Sequence, residues 1–315
     1  MTKIKAIAKI ADANLLTHSV ENSNSWLDDI SDPNSIITPT ENYSYFPETL
    51  ENNLIKYKDD ICLFSKIISE SNHTNDVLFK IRGGDYPSDV RMSLLKLFRR
   101  CVSPVLDTEM TKKIKKVSTD SLVDNFGNTF KDIKILKEQF VNVDVNVFYS
   151  LCALLGEYDN RGAVGYELTD IFFDWFEGRF FELFDIKGPR GAGRDVELKD
   201  YLSDFEYDYP CDFIITDKKN SKNVIAVGFA RYDSTRGGSQ ADDRTGGNSD
   251  KVWKAIDYNK KTGKSFKLIF LSDGPGLAHK DIWAEFCALD KMWSNVRVST
   301  LKTLDKRINK EWLLS

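Results

Sequence analysis

A polar turn between two apolar segments constrains the fold of this chain more than any other feature. Residues 211–216 and 224–230 are rich in β-branched and aromatic side chains, and Asp217-Lys-Lys-Asn-Ser221 joins them. Two short apolar segments on either side of a polar turn are typical of a β-hairpin. The apolar segment 266–271 supplies another strand, after a charged helical segment at 250–261.

The segments around this hairpin predict an α/β fold. Apolar residues recur every three or four positions over 166–186, which is the spacing of a long amphipathic helix. With a short strand at 194–198, the order becomes helix, strand, strand, strand, helix, strand. We therefore expect a mixed central sheet flanked by helices. A helix at 279–293, a strand at 296–299 and a helix at 303–312 complete the prediction.

The first half of the chain differs, and we expect residues 1–160 to be mostly helical and residues 161–315 to form the α/β domain. Residues 31–47 contain three prolines and predict a loop. Helix-like apolar spacing is found in the remainder, at 4–16, 50–68, 90–102, 128–140 and 147–155.

Composition excludes several classes of protein. The five cysteines are widely spaced and only three histidines occur, so neither a disulfide framework nor a zinc site is expected. No apolar stretch is long enough for a membrane span, and the charged N-terminus does not resemble a signal peptide. We expect a cytoplasmic protein that does not contact a membrane. Net charge is −4, yet residues 231–267 carry nine Lys or Arg against five Asp, which favours a local phosphate-binding surface or a solvated charged helix.

One end of the hairpin carries the candidate chemistry. Side chains alternate along a strand, so Gly228 and Ala230 share a face. A turn centred near Asn220 places Asp212 across from Gly228. The segment Pro210-Cys211-Asp212 precedes Gly228-Phe229-Ala230 by fifteen residues.

This arrangement resembles the PD-(D/E)XK nuclease superfamily, which includes most type II restriction endonucleases, over about residues 160–300. The family signature is an acid at the start of one hairpin strand, followed on the next strand by Asp or Glu, any residue, and Lys. The resemblance implies a bacterial, site-specific deoxyribonuclease of a restriction-modification system that cuts double-stranded DNA with Mg²⁺ as a homodimer. It also implies that Asp212 and Glu167 bind the metal and that residues 1–160 serve DNA recognition or dimerisation.

The sequence departs from that signature at two catalytic positions, where Gly228 replaces the second acid and Ala230 replaces the lysine. Three explanations compete. The chain is an inactivated variant, in which Gly228→Glu with Ala230→Lys would restore cleavage. Alternatively the site is rearranged, with Glu167, Asp195 or Glu197 as second acid and Arg231 as the cation. The third explanation is an accidental match.

The polar, glycine-rich segment 231–248 follows the hairpin and predicts a DNA-contacting loop or a mobile surface loop. Arginine and amide side chains can read guanine and adenine edges. The candidates for DNA contact are Arg231, Arg236, Gln240, Arg244 and Asn248. Two other functions remain open: a catalytically inactive DNA-binding protein of the same fold, and a non-nuclease protein that uses its N-terminal helices for protein contacts.

Overall fold

The computed structural model describes residues 25–39, 45–157, 159–191, 193–234 and 240–315, and for 159–166 and 240–245 it describes the backbone alone. The predicted helix at 4–16 lies outside these residues. The described chain forms two compact units. The described residues between 42 and 161 form a helical unit. The described residues before 42 and those from 162 to 315 together form an α/β unit.

The helical unit is built from amphipathic helices whose apolar faces share one core. Phe64, Leu78, Phe98 and Leu136 are all fully buried in it. The helices predicted at 50–68, 90–102, 128–140 and 147–155 are confirmed with shifted ends. In order, the unit contains α1 (Glu48–Ser69), α2 (Thr74–Gly83), α3 (Ser88–Cys101), α4 (Thr108–Lys112), α5 (Thr119–Phe126), α6 (Ile133–Val141) and α7 (Val145–Gly156).

No single helix in the described part of the chain is long and apolar enough to cross a membrane. Only α6 and α7 taken together, with a 107° bend between them, reach the length and composition of a span.

The α/β unit contains a five-stranded mixed sheet, which confirms the predicted fold class. The strand order is β1-β4-β5-β6-β7, antiparallel from β1 to β5 and parallel from β5 to β7. Its strands are β1 (Phe184–Lys187), β4 (Phe213–Asp217), β5 (Asn220–Tyr232), β6 (Lys267–Asp273) and β7 (Val296–Ser299). A separate two-stranded sheet pairs β2 (Val196–Glu197) with β3 (Pro210–Cys211).

Helices cover both faces of the five-stranded sheet because its strands are apolar on both sides. On one face, α8 (Asp159–Phe180) packs its phenylalanines against Phe213 and Ile269. On the other face, α9 (Gln240–Thr262) packs against Phe229 and Phe270. The later helices are α10 (Lys280–Asp290), α11 (Leu304–Arg307) and α12 (Lys310–Leu314).

Three of the differences from the sequence prediction change the arrangement of elements. The helix expected over 166–186 ends at Phe180, and residues 184–187 form β1 instead. Phe184 continues the helical spacing of Phe176 and Phe180 and packs in the same cluster, so periodicity alone could not separate them. The strand predicted at 194–198 pairs with β3 outside the main sheet. The final helix divides into α11 and α12.

Candidate functional site

Asp212 lies where the chain passes from the small sheet to the large one. It separates β3 from β4, and its N–H donates to the Gly228 carbonyl oxygen at 2.9 Å. The register partner of Gly228 is Phe213, so two residues face one in the manner of a β-bulge. The predicted pairing of Asp212 with Gly228 is therefore off by one residue, because a uniform strand was assumed.

The carboxylate of Asp212 points toward the neighbouring strand. Its Oδ2 accepts a hydrogen bond from the Ala230 N–H at 2.7 Å. Burial raises the pKa of Asp212, and the negative charge of Asp195 raises it further. The Ala230 N–H and the positive charge of Lys251 act in the opposite direction. Asp212 thus contacts Ala230 through the backbone N–H of that residue.

Lys251 is the cation at this site, and sequence reasoning missed it. It extends from α9 so that its Nζ lies 3.5 Å from the centroid of the Phe229 ring. Burial lowers the pKa of Lys251, while the charges of Asp212 and Asp195 raise it. Its position carried a signal, because Lys251 precedes the buried Ala255 by four residues and so falls on the apolar face of the helix.

Gly228 has no room for a side chain. A Cβ atom built there would lie 1.8, 2.1 and 2.4 Å from three atoms of the Phe213 ring. That ring is fully buried, with Phe172 at 4.7 Å and Phe173 at 5.8 Å between ring centroids. Ala230 packs against the same aromatic cluster. The side-chain directions of 228 and 230 therefore lead into the core beside α8.

The glycine-rich connection after β1 passes directly against Asp212. A Cβ atom at Gly188 would lie 2.4 Å from the Asp212 carbonyl oxygen, so only glycine allows this approach. Arg190 then anchors the connection to α8 through Asp174 at 2.7 Å and Glu177 at 2.9 Å. This anchored connection leads to Asp195, which is exposed immediately before β2.

Two other predicted site residues lie in different surroundings. Glu167 is half-buried in α8, and among the described residues the charges that shift the pKa of Asp212 belong to Asp195 and Lys251. The metal-binding role of Glu167 therefore stays a prediction. Arg231 donates from Nε to the buried Asp233 at 2.9 Å, so it is engaged at the far end of β5.

The predicted DNA-contacting loop over 231–248 is partly helix. β5 continues to Tyr232, and α9 begins at Gln240. Arg236 lies outside the described residues, and the side chains of Gln240 and Arg244 are not described. Gln240, Arg244 and Asn248 all fall within α9, which also carries Lys251.

Three of the six lysines in the second half of the segment 231–267 pair with carboxylates. Lys254 pairs with Asp250 at 2.8 Å, and Lys264 pairs with Asp204 at 2.7 Å. Lys261 contacts two carboxylates, those of Asp257 and Glu206. The surplus counted along the sequence therefore overstates the positive charge here, because Asp204 and Glu206 come from another segment.

The site offers few metal ligands. In the described part of the chain, no three His, Cys, Asp or Glu side chains are grouped so as to hold a metal ion. Mg²⁺ can bind through one or two carboxylates when waters and substrate phosphates complete its shell. The negative charge of Asp195 acts on Asp212, so these two carboxylates are the candidates for that smaller donor set.

Comparisons with protein-family models, with curated proteins and with solved structures found no match. The resemblance to nucleases therefore depends on the residues and the strand order alone.

Proposed function

We propose that this chain is a Mg²⁺-dependent DNA endonuclease with a rearranged site made of Asp212, Asp195 and Lys251. The observation that carries the proposal is Lys251, a half-buried lysine that lies over the Phe229 ring and is subject to the charges of Asp212 and Asp195. Acids and bases whose pKa values are shifted by burial and by neighbouring charges are typical of functional sites. The second acid precedes β2 and the lysine comes from α9, so neither is on β5 where the family signature has them.

Each of the three side chains has a role in phosphodiester hydrolysis. Bound Mg²⁺ would polarise the phosphoryl oxygen and help to ionise the attacking water. Asp212 and Asp195 would hold that ion. The Ala230 N–H fixes one oxygen of Asp212, so the carboxylate is oriented before any ligand arrives. Lys251 would offset the negative charge that develops on the phosphate, and its lowered pKa brings it closer to the range of a proton-transfer group.

The packing at Gly228 favours this rearranged site over an inactivated variant. If an acid had been lost from position 228, space for its side chain would be expected there. Phe213 fills that space instead and belongs to a dense aromatic cluster. Gly228 is therefore explained by core packing, and the missing chemistry is supplied from elsewhere.

The proposed substrate is double-stranded DNA, bound along α9. Gln240, Arg244 and Asn248 belong to α9, the helix that also carries Lys251, and guanidinium and amide groups suit base edges. A type II restriction enzyme acting as a homodimer on a two-fold symmetric sequence remains the specific form of this proposal.

A second candidate is a protein of the same fold that binds DNA without cutting it. It is favoured by the small donor set, because one oxygen of Asp212 is already engaged by a backbone N–H. In that case the carboxylate would shape the hairpin rather than hold a metal.

Incubation of the protein with plasmids of diverse sequence, in Mg²⁺ or in EDTA, tests the two candidates. We expect Mg²⁺-dependent cleavage that falls on the order of 100-fold or more in Asp212→Asn and in Asp195→Asn. Asp208→Asn is the matched control, since Asp208 is an exposed acid between β2 and β3 that pairs with Lys199. It should cleave at the unsubstituted rate.

Other results separate the candidates. Salt-dependent duplex binding without cleavage, unchanged in both variants, would support the non-cutting protein. Absence of both binding and cleavage would refute both candidates.

A further inference from the structure

A buried arginine in the helical unit holds a lysine-rich segment in place. Arg82, near the end of α2, is 3% exposed. Its guanidinium donates to the carbonyl oxygens of Thr111 at 2.9 Å and Val117 at 2.5 Å, and to the Thr119 hydroxyl at 2.9 Å. These three acceptors lie on either side of residues 112–116, so Arg82 fixes both ends of that segment.

The lysine segment, residues 112–116, presents its charges to solvent. It contains four lysines within five residues, and all four are exposed: Lys112, Lys113, Lys115 and Lys116. Lys112 pairs with Glu109 at 2.6 Å. Within the described residues, the other three ammonium groups have no carboxylate at ion-pair distance.

Backbone hydrogen bonds shape the segment before any partner binds. The Ile114 N–H donates to the Lys112 carbonyl oxygen at 2.9 Å. The Lys116 and Val117 N–H groups both donate to the Lys113 carbonyl oxygen at 3.0 Å. A surface fixed in this way loses less conformational entropy on binding than a mobile tail.

We propose that the lysine segment is a second DNA-contacting surface, which binds the phosphate backbone without reading sequence. This inference rests on the proposed action on DNA. Arg82 adds to the local positive charge, since its described hydrogen-bond partners are carbonyl and hydroxyl oxygens. Lysine ammonium groups are point charges suited to phosphates, and the segment has no guanidinium or amide side chain to read a base edge.

The salt dependence of duplex binding tests the proposal. For Lys113→Gln/Lys115→Gln/Lys116→Gln, affinity for a 30-base-pair duplex should fall about tenfold or more at low salt. Each lost phosphate contact lowers the slope of log affinity against log salt by about 0.9, so the slope should fall by about 1 to 2.7. The matched control is Lys58→Gln/Lys66→Gln/Lys134→Gln, which removes three exposed lysines from α1 and α6. Its slope should equal that of the unsubstituted protein.

The possible failures are distinguishable. If the unsubstituted protein binds duplex and the triple variant keeps its slope, the lysine segment does not contact DNA while the proposed function stands. If the unsubstituted protein binds no duplex at any salt, both proposals fail. Vesicles containing phosphatidylserine provide a third arm. Binding to them that is lost in the triple variant, together with unchanged duplex binding, would identify a membrane-binding surface and overturn the proposal.

Discussion

Gly228→Ala is the smallest substitution that tests how the site is packed. The new methyl group would lie 1.8 to 2.4 Å from three atoms of the Phe213 ring, well inside van der Waals contact. The ring would have to move by about 1 to 2 Å to reach the ordinary contact distance of about 3.5 to 4.0 Å. Phe172 and Phe173 stand against it, so this movement must spread through the cluster.

We expect Gly228→Ala to lower the free energy of unfolding by about 2 kcal/mol. Inserting a methyl group into a packed core costs about 1 to 3 kcal/mol, and the closeness of the contact puts this case near the upper end. The backbone at 228 does not have a positive φ, so alanine recovers about 0.4 to 1 kcal/mol by restricting the unfolded chain.

Urea denaturation measures this effect when Gly228→Ala is compared with the unsubstituted protein, with a control variant and with a double variant. In the matched control Gly178→Ala, the new methyl group meets nothing within 4 Å on α8, so stability should rise by up to about 1 kcal/mol. Adding Phe213→Leu to Gly228→Ala should give a coupling energy of about 1 kcal/mol or more, because the two side chains compete for one space. A Gly228→Ala variant as stable as the unsubstituted protein would refute the packing argument. If the argument holds, Gly228→Glu with Ala230→Lys disrupts the core instead of restoring cleavage.

Three further predictions concern buried charges. Folding raises the pKa of Asp212, so the stability contributed by this group is present at acidic pH and is lost as pH rises through the folded pKa. Asp212→Asn should therefore unfold at higher urea than the unsubstituted protein at pH 7, with the difference shrinking toward acidic pH; equal midpoints at pH 7 would contradict this. Asp273→Ala leaves three backbone N–H groups without their carboxylate acceptor and should lower the free energy of unfolding by about 3 kcal/mol or more. A loss below about 1 kcal/mol would show that these hydrogen bonds contribute little to stability. Arg307→Met leaves the buried Asp290 carboxylate without its cation and should lower the free energy of unfolding by about 3 to 5 kcal/mol in the same assay. An unchanged free energy of unfolding would show that this ion pair does not stabilise the core.

The sequence predicted the α/β fold because its strands and helices have distinct periodicities. β7 was predicted with its observed ends, and the β4–β5 hairpin follows from its polar turn. β1 was missed because Phe184 continues the spacing of a helix. Such an edge strand is defined by its partner β4, which lies about thirty residues further along the chain.

The candidate site was less predictable than the fold. Asp212 could be found because it begins a strand after a proline. Asp195 was one of three candidates for the second acid, whereas Lys251 was missed, since its position near Asp212 depends on the docking of α9. The register error at Gly228 has a similar origin, because the register shifts between Ile215 and Asp217 are not visible in side-chain alternation.

The rate of plasmid cleavage by Lys251→Met tests the central claim most directly. Lys254→Met is the matched control, because Lys254 lies on the same helix three residues later and pairs with Asp250. We predict that the unsubstituted protein and Lys254→Met cleave DNA at similar rates in Mg²⁺. Lys251→Met should lose on the order of 100-fold or more in rate while its duplex affinity changes by no more than about twofold. Cleavage by Lys251→Met at the unsubstituted rate would contradict the claim that Lys251 belongs to the site.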